Sequence, residues 1–193
     1  MFDTGTARRW FTVALAGLIG ALALATTASA ERTLFFEETA SAFWAVPFEC
    51  GDGTVVQGTL LVQSTRDFES PDTEDADPTA RVQFQAVCPD GSSFSWGGIL
   101  PATITSTENL KSVTATGSGT VRDIFDVTHE VTFGVTWTAV GPLETTVNGA
   151  GSKRVQRTAT ATGRVTFDGE VLVDGPNNHP TRPAPFIRVD TEK

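Results

Sequence analysis

Val131-Thr132-Phe133-Gly134-Val135-Thr136-Trp137-Thr138 decides the fold class. The large apolar residues occupy the odd positions, and threonine and glycine the even ones. Period two places successive side chains on opposite faces of an extended chain, so this stretch is a strand with one apolar and one polar face. The same pattern spreads outward in both directions. Val82, Phe84, Ala86 and Cys88 alternate with Arg81, Gln83, Gln85 and Val87, and Trp44, Val46, Phe48 and Cys50 form another apolar row. From Arg157 to Thr166 threonines take one face, while Ala159, Ala161 and Val165 take the other.

Five dipeptides punctuate these runs: Asp52-Gly53, Asp90-Gly91, Asn148-Gly149, Asp168-Gly169 and Asp174-Gly175. Each tolerates the positive φ of a two-residue hairpin turn, so each is a hairpin candidate. The pattern predicts strands near 33–37, 42–50, 54–65, 80–88, 92–97, 110–121, 127–140, 153–167 and 170–174, with a late extended segment over 185–190. No stretch beyond residue 30 has convincing helical periodicity. The expected fold is all-β: an antiparallel β-sandwich of about nine or ten strands, loosely immunoglobulin-like in architecture, with a closed or partly open β-barrel as the alternative. No Trp lies between the cysteines, which departs from the true immunoglobulin pattern.

The first thirty residues read differently. Arg8 and Arg9 precede an apolar stretch from Trp10 to Ala25, followed by Thr26-Thr27-Ala28-Ser29-Ala30. A charged start, a short apolar centre and a small-residue exit describe a secretory signal peptide, with cleavage expected after Ala30. The apolar stretch is short for a membrane span. Arg8-Arg9-Trp10-Phe11 partly fits a twin-arginine signal, but Thr12 breaks its next apolar position. Residues 31–193 then form one domain, large enough for a real core. Within it, the acidic loop 67–78 and the Pro-rich segment 175–193 break the alternation. Arginine far outnumbers lysine, the balance of a GC-rich bacterial coding sequence. The net charge of −9 argues against nucleic acid as a partner and against anionic membrane surfaces. The expected localisation is secreted and extracellular, with no membrane insertion after cleavage and with an extracellular protein or polysaccharide as the candidate partner class.

Few residues offer chemistry. Cys50 and Cys88, the only cysteines, each end an apolar row just before an x-Asp-Gly turn, and an even pair in an exported chain reads as a disulfide. Asp72, Glu74, Asp75 and Asp77 could supply oxygen ligands to Ca²⁺. An EF-hand counted from Asp72 would need Gly at Asp77 and Glu at Gln83, so a solvated acidic loop is the simpler reading. Neither His129 nor His179 reads as a catalytic base. Glu130 points to the opposite face from His129, and His179 lies in a segment with nothing predicted to hold its ring. Trp44, Trp96 and Trp137 share the apolar side of their strands and are expected in the core. Recurrent T-x-T triplets fit solvent-facing strand positions better than an ice-binding ladder. No catalytic residue, cofactor or metal is assigned. The expected function is a secreted, non-catalytic binding, accessory or structural module, the alternative a hydrolase using carboxylates.

Overall fold

The computed structural model describes residues 35–68, 78–147 and 152–192. Residues 1–30, read from the sequence as a signal peptide, most of the acidic loop with all four calcium candidates, and Asn148-Gly149 lie outside the described residues. Ten strands are formed: β1 (Phe35–Glu49), β2 (Val55–Phe68), β3 (Thr79–Val87), β4 (Ser93–Ser106), β5 (Ser112–Asp123), β6 (Thr128–Ala139), β7 (Glu144–Val147), β8 (Lys153–Phe167), β9 (Glu170–Pro176) and β10 (Phe186–Glu192). A single 3-10 turn at Glu108–Leu110 joins β4 to β5.

Each strand from β1 to β6 pairs antiparallel with the next, and β6 then pairs with β8. β8 pairs with β10, and β10 pairs with β1 from Phe35↔Glu192 to Ser41↔Phe186. The ring β1-β2-β3-β4-β5-β6-β8-β10 is therefore a closed eight-stranded barrel, with β7 and β9 as additional partners of β8. This overturns the sandwich expectation in favour of its alternative. A sandwich needs strands that leave one sheet for another. Here β1, β2, β4 and β8 run 14 or 15 residues without a break, and each finds a neighbour on both sides. Closure leaves no open edge around the ring.

The barrel interior is filled by side chains, as eight strands permit. Trp44, Leu60, Val62, Val82, Val113, Val135, Trp137, Val165 and Ile187 are all but inaccessible. Inward glycines seat the largest of these groups. A Cβ on Gly58 would lie 2.4 Å from the Phe84 ring, one on Gly117 2.8 Å from Phe133, and one on Gly163 3.1 Å from Trp44. Small residues facing large ones let neighbouring walls interlock in a tapering interior. The outer wall is polar: Thr114, Thr116, Thr136, Thr138, Thr160 and Thr162 stand on it, with Arg81, Gln83 and Gln85. That is the reverse of a membrane-spanning barrel, which turns its apolar side chains to the lipid.

Other details also differ from the sequence reading. Residues 35–49 form one strand, not two. β4 continues nine residues past the predicted 97, so Pro101 lies inside a strand. β7 was not predicted. β2 extends through Phe68, so Asp67 and Phe68 belong to a strand and not to the acidic loop. Asp52-Gly53, Asp90-Gly91 and Asp168-Gly169 do sit in turns, but Asp174-Gly175 lies within β9.

Candidate functional site

The turns after β1, β3, β5 and β8 gather at one end of the barrel. Cys50 and Cys88 follow the ends of β1 and β3, and their sulfurs are bonded at 2.02 Å across a Cα separation of 6.0 Å. Beside them an aromatic stack fills the mouth. Phe48 lies on Phe94 (5.3 Å between ring centroids), Phe84 on Trp96 (5.8 Å), Trp96 on Phe167 (4.7 Å) and Phe167 on His129 (4.5 Å).

His129 closes this stack and is the most elaborated polar group at this end. Its Nδ1 lies 2.7 Å from Asp168 Oδ2, and its Nε2 lies 3.3 Å from Asp123 Oδ2. A neutral imidazole carries one N–H, so only the imidazolium donates to both carboxylates. The bond to Asp168 raises the His129 pKa above 6.5; desolvation opposes this and Asp123 adds to it. Asp168 is held below the usual carboxylate range by His129 and by the Glu130 N–H. Burial pushes Asp123 up, but the bonds from Val127 N–H, His129 and Phe125 N–H together outweigh it and leave the pKa lowered.

Asp123 also builds the β5–β6 turn. Its Oδ1 accepts from Phe125 N–H (2.8 Å) and Val127 N–H (2.9 Å), and Asp126 N–H donates to Asp123 O (3.1 Å). Asp126 takes φ 63°, the left-handed value this tight connection requires. Three large apolar side chains are thereby held outward: Ile124 at 51%, Phe125 at 72% and Val127 at 50% exposure.

This arrangement clamps two turns through one ring. Both ring nitrogens of His129 face carboxylates, and among the described residues no Ser, Thr or Cys side chain is hydrogen-bonded to the ring. The sequence reading considered only Glu130 as a partner and did not single out Asp123 and Asp168, which contact the ring. The β8–β9 turn carries Asp168 beside β6, where its N–H donates to Glu130 O and its Oδ1 accepts from Glu130 N–H. His179 is also held, contrary to expectation. Its Nε2 lies 2.9 Å from Thr59 Oγ1, and Thr181 N–H reaches Nδ1 at 3.4 Å. Burial, then the Arg182 charge, lowers its pKa. Asn178 anchors the same segment by accepting from Ala45 N–H.

A second feature lies on the outer wall. Arg81, Gln83, Gly97, Ile99, Arg122 and Ile124 line a groove of about 380 Å³. Trp44, Trp96 and Trp137, all inward, present no ring platform to solvent. Among the described residues no group of His, Cys, Asp and Glu is arranged to hold a metal ion. Comparison with known protein families, with curated proteins and with solved structures finds no match to this chain.

Proposed function

We propose that this chain is exported, loses its leader after Ala30 and acts outside the cytoplasm as a non-catalytic binding module. The observation that carries the reading is the solid interior. Among the described residues Trp44, Trp137 and their neighbours pack the barrel interior, which favours the outer wall and the rims as the binding surface. The His129 cluster is saturated by its own members, which suits rigidity better than proton transfer. The Cys50–Cys88 bond accords with an oxidising compartment.

One experiment tests both halves. Secreted protein is expected to begin at Glu31 by mass spectrometry. Incubated with a panel of polysaccharides and ester substrates, it should be retained without releasing product. Product release that is lost in His129→Gln or Asp168→Asn at unchanged melting temperature would reverse the reading and favour a carboxylate-dependent hydrolase.

A further inference from the structure

The β4–β5 seam is interrupted. Their ladder runs over Trp96↔Asp123 and Gly97↔Arg122, resumes at Ala102↔Gly117, and carries no pair between. Ile124 N–H donates to Ser95 O at 3.1 Å, so the odd residues of β4 aim their main-chain groups at β5. By that alternation Ile99 and Thr120 face each other across this stretch. Pro101, next on the same side, has no N–H to give.

The outward side chains around the gap form an ordered set. Gln83, Gly97 and Arg122 stand in one cross-strand row, and Arg81 and Ile99 in the next. Gly97 has no side chain, and the Gln83 side chain leans over it, its Cγ 3.2 Å from where a Cβ would stand; the groove opens between that side chain and Arg122. A glycine inside a strand costs stability and recurs where a ligand approaches the backbone. Two guanidinium groups on one trough stand out in a chain of net charge −9. Asp123 borders the trough too, but its oxygens are engaged by Phe125 N–H, Val127 N–H and His129.

We propose that this groove binds a hydroxylated carboxylate of the uronate type, either a free sugar acid or one residue of an acidic polysaccharide. Arg81 and Arg122 present planar forks that match a carboxylate. The Gln83 amide, a donor and an acceptor, suits hydroxyls. Ile99 and Ile124 supply apolar flanks for ring carbons. The volume lies in the range of small-molecule sites, roughly 300–1,000 Å³. Asp126, ion-paired with Arg122, is the resident competitor for that guanidinium. The proposal rests on the binding-module reading and narrows it to one face.

The test is an NMR titration of residues 31–193 with galacturonate, its trimer, and galactose as the uncharged control. Galacturonate should shift amides of 81–83, 95–99 and 120–124, and galactose should not. Arg81→Gln and Arg122→Gln should each weaken binding about tenfold, the loss of one charged hydrogen bond. Asp126→Asn should tighten it several-fold. A trimer that binds more tightly than the monomer identifies a chain as the natural source; equal affinity identifies the free acid. Equal shifts with galactose, insensitivity to both arginine variants, or no shift with any probe would overturn the proposal. Binding mapped to another face would overturn it while leaving the binding-module reading intact.

Discussion

The two ends of the barrel are closed by opposite means. At the end described above, four tight turns, a disulfide and a stack of aromatic rings seal the mouth, and His129 pins two turns together. At the other end β4 reaches β5 through the 3-10 turn, and β2 is joined to β3 through the acidic stretch. There the interior holds an ion pair. Glu38, 3% exposed, accepts from Arg66 Nε and Nη2, each at 3.2 Å, and Arg66 also donates to Ser106 Oγ. Glu38 and Arg66 occupy inward positions on β1 and β2, where apolar residues stand elsewhere on those strands. Short connections bring apolar side chains close enough to plug a mouth. Where connections are long, a charged pair with a hydroxyl partner fills the space and keeps contact with water through Arg66, which retains 20% exposure.

Breaking the first end should have the largest effect. Replacing both cysteines (Cys50→Ala with Cys88→Ala) frees a 38-residue separation and should cost about 4 kcal/mol in denaturant unfolding. A loss under about 1 kcal/mol would mean that the aromatic stack holds this end alone.

Glu38→Ala tests the second end and should cost about 3 kcal/mol, because it strands a half-buried guanidinium. Glu38→Met with Arg66→Leu should recover most of that loss. The ends share no partners, so the cysteine and Glu38 losses should add within about 0.5 kcal/mol. Strong non-additivity would show that the two mouths are coupled through the packed interior.

The smallest effect separates the ends by pH. His129 binds its proton more tightly folded than unfolded, so its contribution is complete below about 6.5 and fades as pH rises through the raised folded value. Asp123 and Asp168 shift the other way; theirs is complete above about 3.8 and fades as pH falls through their lowered values. The melting-temperature gap between parent and His129→Gln should therefore be widest between about pH 4 and 6.5. A gap that does not vary with pH would remove the clamp from the first end. Asp168→Asn should lower the His129 pKa, as read by NMR.

Strand existence and facing were largely legible in the sequence, because period two is a local signal. Residues 153–167 were bounded as β8 is found. Closure was not legible: β10 lies beside both β1 and β8, and nothing local distinguishes a strand that closes a ring from one that ends a sheet. Dihedral constraint was only partly legible. Asp-Gly marked three turns, whereas Ile124–Val127 turns on an Asx contact from Asp123 and a left-handed Asp126, with no glycine to announce it. The His129 clamp escaped for the same reason as the ring. Its carboxylates sit 6 and 39 residues away and meet only once the hairpins are in register.

The pairing of Phe35 with Glu192 gives assembly of this barrel an unusual order. The first strand cannot acquire its second neighbour until the last one exists. A nascent chain, or one truncated before Phe186, carries β1 and β8 as raw edges that can pair with other molecules. Contacts of such long sequence separation form slowly. A translocated chain would have to wait, edge-exposed, until its final seven-residue strand had crossed. Loss of that strand should cause aggregation, not a smaller stable domain.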